Sequence, residues 1–373
     1  MSNTLDSSEV REKFPTLSEI VYLNNASTGI MPAATVDAMK DYLINRVNML
    51  GKFDETLSMY KEIRQALADL LGGREDQYGF VPSTSAGINS LGHSISYPRD
   101  SNIVVCDLEF PANYVPWQNV RRLYDVELRV AKSNDGAIPI ERFKELIDNN
   151  TRVVAVSQVQ FGSGYRTDLK RLAALIHSVG GYLVADIIQA AGWADTNLVA
   201  EDVDFATAQA AKWLVGPIGA GFVYVSDRII NDLVPRFLGW WGVKGITDFE
   251  YKEREPLKDA KKFQVGSPSG IAYRGFLESL KILLEIRGKT RERIALDNAN
   301  YLRKRLEEIG VSRYDFGPNN SPIVSCVPEN VEELQKRLHE KNIRCSVRNG
   351  RLRVSPHFYN TYEEIDIFID HLG

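Results

Sequence analysis

Cysteine is scarce in this chain of 373 residues, which contains only Cys106, Cys326 and Cys345. These cysteines lie far apart, without the paired spacing of a disulfide framework or a zinc site, so we expect reduced thiols and no bound metal. An excess of one charge is also lacking, because 45 Lys and Arg residues are set against 49 Asp and Glu residues, for a net charge of −4. This balance gives no reason to expect nucleic acid or an anionic membrane as a partner.

The sequence also lacks long hydrophobic runs and a basic-then-apolar N-terminal segment. We therefore expect neither a membrane-spanning helix nor a secretory leader. A hydrophobic content of 44% and a charged content of 25% are typical of a soluble globular protein, and we predict a cytoplasmic location. The length exceeds that of one ordinary core, which predicts one large domain and a smaller one.

The most informative stretch runs from Gly181 to Val225 and begins with a short apolar segment, typical of a buried parallel strand. This segment ends at the carboxylate of Asp186, and the amide of Gln189 follows three residues later. After a second apolar segment comes Lys212, among small and apolar neighbours. An acid at one strand end and a sheltered lysine after the next suit an enzyme that uses pyridoxal 5'-phosphate (PLP). The lysine forms a Schiff base with the cofactor aldehyde, and the acid keeps the pyridine nitrogen protonated.

Each residue by itself has a simpler interpretation. Asp186 alone is typical of a cap or turn, and Lys212 alone is typical of a side chain whose amine reaches solvent. Their order favours the catalytic interpretation, since apolar surroundings lower the pKa of a lysine and provide the free amine that must attack an aldehyde.

The residues around this pair resemble a known family. D-x-x-Q from Asp186 to Gln189, followed by K-W-L-x-G-P-x-G-x-G from Lys212 to Gly221, resembles the class V aminotransferases. That family includes cysteine desulfurases, isopenicillin N epimerase-like proteins and kynureninase. The resemblance extends from Tyr22 to Thr361, nearly the whole chain.

The resemblance implies an α/β fold, that of the fold-type I PLP-dependent transferases. We expect a large domain over residues 21–245, with a mostly parallel seven-stranded sheet and the cofactor at the carboxyl ends of its strands. A smaller α+β domain is expected over residues 246–373, with residues 1–20 packed on it.

The resemblance also implies how the cofactor is held. Its phosphate is expected at the start of the helix after Val81, where backbone N–H groups favour an anion, although Ser83 or Thr84 could simply cap that helix. At the position of Phe110 the family has a flat ring, often His, which stacks on the cofactor; Phe can stack but cannot donate a proton. Gln189 and Gln158 are expected near the ring hydroxyl. The predicted cofactor residues are Thr84, Ser85, the Ala86 amide, Phe110, Gln158, Asp186, Gln189, Gln209, Lys212 and, from the neighbouring subunit, Ser267.

Arg353 lies where the family binds the α-carboxylate of the substrate, and a planar guanidinium suits a bidentate grip on that group. Arg348 and Arg351 compete for the same role. The turn that contains Asn25 is expected to lie near the substrate.

Two departures from the desulfurases bear on the reaction. Ala211 replaces a histidine before the lysine, and the segment between Arg348 and Arg353 is short and has no cysteine, so persulfide chemistry is not expected. The predicted activity is transamination of an amino acid, with Lys212 as general base, in a homodimer with shared active sites. A C–S or β-elimination lyase, an epimerase, and a catalytically silent binding protein on the same fold are the alternatives.

Overall fold

A computed structural model describes residues 7–48, 52–317 and 320–372. Its strands are β1 (Val21–Tyr22), β2 (Tyr78–Val81), β3 (Asn102–Cys106), β4 (Glu127–Ala131), β5 (Thr151–Ser157), β6 (Tyr182–Asp186), β7 (Phe205–Gln209), β8 (Gly221–Val225), β9 (Ser312–Arg313), β10 (Val324–Val327), β11 (Ile343–Arg344), β12 (Ser346–Arg348) and β13 (Arg351–Val354). Its α-helices are α1 (Ser7–Glu12), α2 (Ala33–Val47), α3 (Phe53–Leu71), α4 (Thr84–Gly92), α5 (Val115–Tyr124), α6 (Ile140–Lys144), α7 (Leu169–His177), α8 (Gly270–Glu285), α9 (Gly288–Glu308), α10 (Val331–Glu340) and α11 (Tyr362–Asp370).

The central sheet has the strand order β2-β8-β7-β6-β5-β3-β4. Strand β8 runs antiparallel to both of its neighbours, whereas the strands from β7 to β4 pair in parallel. The predicted mostly parallel, seven-stranded sheet is therefore confirmed. In the register of the parallel strands, Asp186 lies between Ser157 and Thr207, so the carboxyl ends of β5 and β6 meet at one edge.

Both faces of this sheet are covered, which explains why its strands have continuous apolar sequences. Along β6, Leu183 and Ala185 join the hydrophobic cluster formed with α3, α7 and α8. The alternate residues Tyr182 and Val184 join the cluster formed with α4 and α5. Because each fully buried aliphatic side chain contributes about 1.5–3 kcal/mol, these two layers fix the sheet as the rigid base of the site.

A second, antiparallel sheet has the order β12-β13-β10-β9 and packs with α9, α10 and α11. The sequence from Ile343 to Val347 predicts one strand, but the chain divides at Cys345. On one side, β11 pairs in parallel with β1, and on the other, β12 forms a hairpin with β13. This division holds the N-terminal segment beside the smaller sheet.

The division of the chain into domains at residue 246 stays a prediction. Beyond that residue, α8 packs against α2 and α3 on the large sheet. At the N-terminus, Phe14 is fully buried, and its ring packs 4.7 Å from that of Tyr359. Arg11 forms an ion pair with Glu364 at 3.0 Å.

The sequence after Tyr224 predicts a helix, but this prediction is wrong, because residues 227–232 form turns. The ammonium group of Lys262 binds the carbonyl oxygens of Ile230 and Leu233, which a continuous helix would use for its own hydrogen bonds.

Within the described ranges, no helix is both long and apolar enough to cross a membrane. The same part of the chain contains no group of three or more His, Cys, Asp or Glu side chains arranged to hold a metal ion. The cytoplasmic location stays a prediction.

Candidate active site

Lys212 lies in the loop after β7, with its Nζ atom 5.5 Å from the centroid of the Phe110 ring. Burial lowers the pKa of Lys212 from its ordinary value of 10.5, and the guanidinium groups of Arg353 and Arg348 lower it further, whereas Asp186 opposes the shift. The lowered pKa, about 8, increases the fraction of neutral amine near neutral pH, and the neutral amine is the form that attacks a carbonyl carbon.

Main-chain contacts fix the lysine loop. The N–H of Gly29 donates to the carbonyl of Ala211 at 2.9 Å, and the N–H of Val215 donates to the carbonyl of Lys212 at 3.0 Å. A Cβ atom on Gly29 would lie 1.9 Å from the carbonyl oxygen of Lys212, so only glycine allows this approach. The N-terminal turn therefore packs directly against the backbone of the lysine.

Asp186 ends β6 and is 1% exposed. One carboxylate oxygen accepts a hydrogen bond from the N–H of Ile188 at 2.9 Å. Burial raises the pKa of Asp186, with a further rise from Glu109, while the Ile188 N–H and Lys212 lower it. A buried carboxylate in this position is stabilised by a cation such as a protonated ring nitrogen.

Gln189 ties these elements together. Its side chain is 2% exposed, donates to the carbonyl oxygen of Ala26 at 3.0 Å and accepts from the indole N–H of Trp213 at 2.8 Å. These bonds join the end of β6, the lysine loop and the N-terminal turn. Its predicted contact with the ring hydroxyl stays a prediction.

The loop that carries Phe110 is anchored by Glu109, which sequence reasoning missed. The carboxylate of Glu109 accepts from the N–H and the hydroxyl of Ser157 at 2.8 and 2.5 Å, and from the Gln160 amide at 3.0 Å. The Phe110 ring meets the Phe161 ring edge-on, with centroids 5.1 Å apart. The only sign in the sequence was a carboxylate directly before the expected stacking residue.

The start of α4 fits a phosphate group, although not with every predicted donor. The Ser83 hydroxyl caps the helix and accepts from the Ala86 N–H at 3.2 Å, so the structure gives the Ala86 amide another partner. The Thr84 hydroxyl oxygen is buried and has no hydrogen-bond partner among the described residues. Ser85 is exposed beside it. A free buried hydroxyl at the positive end of a helix is suited to bind an anion.

Gln158 forms its side-chain hydrogen bonds with residues outside this cluster, and its predicted contact with the cofactor stays a prediction. Its amide donates to Glu201 at 3.3 Å and accepts from Thr196 at 3.4 Å, beside a cavity of about 420 Å³. Side chains alternate along a strand, and the preceding Ser157 is the one that faces Glu109.

Two predicted phosphate residues lie on other elements. Gln209 ends β7, opposite Gly221 of β8. Ser267 is exposed on the loop before α8, where its hydroxyl accepts from Trp241 at 3.0 Å. Their phosphate contacts stay predictions.

The structure separates the three candidate arginines. Arg353 is 1% exposed and donates to the Phe161 carbonyl at 2.7 Å and to the Ser27 hydroxyl at 2.5 Å. Arg348 donates to the same hydroxyl at 3.3 Å. Arg351 instead stacks on Tyr314, with its guanidinium carbon 3.6 Å from the ring centroid. Arg353 and Arg348 thus share one site, which Arg351 does not enter.

Within the N-terminal turn, Ser27 rather than Asn25 reaches the arginines. Asn25 is fully buried, donates to the Ser355 carbonyl at 2.9 Å and accepts from the Tyr359 hydroxyl. These bonds hold the turn in place. The predicted contact of Asn25 with the substrate stays a prediction, and Ser27 is a site residue that sequence reasoning missed.

A lysine amine with a lowered pKa, beside a buried acid, suits a cofactor with an aldehyde and a basic ring nitrogen. The unpaired Thr84 hydroxyl suits the phosphate group of such a cofactor. The sheet brings these groups to the edge where doubly wound α/β proteins bind ligands. The structure is therefore of the fold-type I, PLP-dependent class.

Comparison with known proteins gives the family. The sequence model of the class V aminotransferases (Aminotransferase class-V) matches residues 21–368, and the chain belongs to this PLP-dependent family. An uncharacterized aminotransferase, YcbU, of Bacillus subtilis is 27% identical over 370 residues, which cover 98% of this chain and 97% of the relative. A probable cysteine desulfurase of Methanothermobacter thermautotrophicus is 26% identical over 386 residues, which cover 96% and 95% of the two chains.

Solved structures share the fold. The apo structure of a cysteine desulfurase from Thermococcus onnurineus superposes with a TM-score of 0.88 at 22% identity, covering 99% of this chain and 98% of the other. A mutant of C-DES with glycine covalently linked to its PLP cofactor superposes with a TM-score of 0.89 at 19% identity, covering 97% and 98%. The predicted family, fold type and cofactor are confirmed, and the protein is an enzyme of this family.

Proposed function

We propose that the protein is an aminotransferase that acts as a homodimer on an amino acid, with PLP on Lys212 and the substrate α-carboxylate on Arg353. The observation that carries this proposal is a Lys212 amine that lies beside the Phe110 ring and is subject to the charges of a buried acid and a buried guanidinium. Asp186 and Arg353 both act on the pKa of the amine, in opposite directions. A group that removes and returns a proton is most effective when its pKa is near the working pH.

PLP, when bound, supplies an aldehyde carbon and a protonated ring that accepts the electron pair released at the substrate α-carbon. Lys212 Nζ would serve as the base that takes the proton from that carbon and returns it. Asp186 would hold the ring nitrogen and keep it protonated. Phe110 would pack against the ring, without a proton to exchange.

The positions of the cysteines support a reaction without a thiol nucleophile. Cys106, Cys326 and Cys345 are free and buried. Burial raises the pKa of Cys345 to about 12, so its thiol stays protonated at neutral pH. The turn between β12 and β13, formed by Asn349 and Gly350, contains no thiol.

Exposed apolar residues support the homodimer. Ile218 is 76% exposed, Phe237 is 60% exposed and Phe249 is 85% exposed. If these side chains form one continuous apolar patch, that patch would suit a contact with a second subunit. Ser267 lies on an exposed loop, from which we expect its hydroxyl to reach the cofactor phosphate of the second subunit.

The cofactor linkage is tested by reducing the purified holoenzyme with borohydride and mapping the labelled peptide. We expect the label on Lys212, its loss in Lys212→Ala, and its retention in Lys170→Ala, which removes an exposed lysine. A label on any other lysine would refute the proposed site.

The reaction is tested by mixing the holoenzyme with single amino acids and measuring products. A transaminase converts its PLP to pyridoxamine 5'-phosphate in a one-to-one ratio with the 2-oxo acid released. Pyruvate with free ammonia would indicate a lyase, and inversion at the α-carbon an epimerase. No conversion of any amino acid would support the silent binding protein.

A further inference from the structure

Two guanidinium groups converge on one hydroxyl in the substrate site. The Ser27 oxygen accepts from Arg353 Nη2 at 2.5 Å and from Arg348 Nη2 at 3.3 Å. The two arginines come from neighbouring strands of the β12–β13 hairpin, where Ser346 is the partner of Arg353. Both guanidinium groups lower the pKa of Lys212, so both lie close enough to the reacting amine to act on its charge.

Within the described ranges, this pair of positive charges lacks a carboxylate partner. Among the residues that the structure describes, no carboxylate forms an ion pair with either Arg348 or Arg353; the ion pairs of the chain lie elsewhere. The Nε atom of Arg353 is buried and has no hydrogen-bond partner there. A buried cation without a counter-ion is costly, and a second cation beside it adds repulsion. Burial and the charge of Arg348 accordingly lower the pKa of Arg353 to about 9.

One carboxylate cannot neutralise both arginines. The α-carboxylate, placed on the deeper Arg353, leaves the charge of Arg348 uncompensated beside Lys212. Arg348 is less buried, and its remaining side-chain contact is with the carbonyl of the adjacent Val347, so its guanidinium is free to meet a ligand. A planar guanidinium is suited to a second carboxylate, which it can bind with two parallel hydrogen bonds.

We infer that Arg348 binds the side-chain carboxylate of the substrate, so that the enzyme acts on amino acids with an acidic side chain. This inference rests on the proposed function, in which Arg353 holds the α-carboxylate. Ser27 lies between the two anion positions and keeps the guanidinium groups in place. Arg351, on the same hairpin, takes no part because it is stacked on Tyr314 and bonded to Ser325.

Binding without turnover gives the first test. Succinate, glutarate and propionate correspond to aspartate, glutamate and alanine without the amino group, and each is titrated into the holoenzyme by calorimetry. We expect at least one of the dicarboxylates to bind about 10- to 100-fold more tightly than propionate, as a charged hydrogen-bonded pair provides. Arg348→Gln should remove that advantage, and Arg351→Gln, which removes the same charge from the same hairpin, should keep it. Equal binding of all three acids to the parent enzyme would overturn the inference.

Turnover gives the second test. In Arg348→Gln, kcat/KM for aspartate or glutamate should fall about 10- to 100-fold further than kcat/KM for alanine, mostly through KM; the part of the loss that all substrates share reflects the effect of the Arg348 charge on Lys212. Arg348→Lys should restore part of the loss, because lysine returns the positive charge but not the planar group that binds a carboxylate with two hydrogen bonds. An equal fall for acidic and neutral substrates would mean a structural role for Arg348 and would refute the inference.

The two proposals fail separately. Tight succinate binding without transamination would contradict the aminotransferase and leave the two-arginine site standing. Transamination of alanine in an enzyme that binds succinate no better than propionate would support the aminotransferase and contradict the two-arginine site.

Discussion

The Nε2 atom of His357 lies 2.9 Å from the main-chain carbonyl oxygen of Trp213, the residue that follows Lys212. The other ring nitrogen, Nδ1, accepts from the N–H of Phe358 at 2.8 Å, so Nε2 carries the proton and donates to Trp213. Burial lowers the pKa of His357 to about 3, and the ring therefore stays neutral at physiological pH. This bond connects the C-terminal segment to the lysine loop.

We expect His357→Leu to lower the free energy of unfolding, measured by urea denaturation, by about 1–3 kcal/mol for each buried group left without a partner. The groups affected are the Trp213 carbonyl and the Phe358 N–H. The matched control is His339→Leu, because His339 is exposed on α10 and its substitution should change stability by less than about 0.5 kcal/mol. Equal stabilities of the two variants would contradict the role given to His357.

The lowered pKa of Lys212 makes the capture of PLP dependent on pH. The ammonium group must lose its proton before it can attack the aldehyde, so the rate of borohydride-trappable PLP binding to the apoenzyme should rise with a midpoint below the ordinary lysine value of 10.5. Arg353→Gln removes a nearby positive charge, which favours the ammonium form and moves the midpoint to higher pH. Arg351→Gln should leave the midpoint where it is. A midpoint at or above 10.5 in the parent protein would contradict this account.

Gly29 should tolerate no side chain. In Gly29→Ala the new Cβ would lie 1.9 Å from the Lys212 carbonyl oxygen, so the backbone on one side must move. We expect a loss of roughly 1–3 kcal/mol in the free energy of unfolding, the usual cost of overpacking. Gly266→Ala is the control, since an added Cβ there has no neighbour within 4 Å. Equal free energies of unfolding for the two alanine variants in urea would contradict the close packing of Gly29 against the Lys212 carbonyl.

Glu201 should make stability fall as pH rises. Burial raises its pKa from 4.5 to about 7, with the positive charge of Arg166 opposing the rise and the negative charges of Asp168 and Glu292 adding to it. Because the pKa of Glu201 is higher in the folded state than in the unfolded state, the folded state keeps the Glu201 proton up to a higher pH. Between about pH 4.5 and about pH 7 the unfolded state ionises more readily, so the free energy of unfolding falls across this range.

Glu201→Gln removes this ionisation, so urea denaturation across that window should show a flatter dependence on pH and higher stability than the parent above pH 7. Glu329→Gln, at an exposed carboxylate, should keep the slope of the parent. An unchanged slope in Glu201→Gln would show that another group is responsible.

The sequence predicts those parts of the site that depend on local pattern. Strand β6 and its terminal Asp186 follow from a short apolar run that ends in a carboxylate, and Lys212 follows from its small and apolar neighbours. Both are placed by the sheet, which the family resemblance predicts to be mostly parallel and seven-stranded and whose strand order the structure supplies.

The contacts that sequence reasoning missed depend on side-chain direction and on distant parts of the chain. The partners of Gln158, Glu201 and Thr196, are one example: Gln158 is one residue beyond Ser157, and a shift of one residue at a strand end turns the side chain to the opposite face. Ser27 meets Arg353 across 326 positions, a pairing that no local pattern encodes. At the start of α4, composition alone could not decide whether Ser83 or Thr84 caps the helix. In the structure Ser83 is the cap, and the Thr84 hydroxyl has no partner among the described residues.

The contact of Asn25 with Ser355 spans 330 positions, and that of Trp213 with His357 spans 144. During translation, Lys212 is therefore synthesised well before Arg348 and Arg353, whose charges act on its amine. A nascent chain halted ahead of residue 353 contains the amine of Lys212 but lacks Arg353 and also His357, which hydrogen-bonds the lysine loop. Such a chain lacks the long-range contacts that hold the lysine loop in the folded protein.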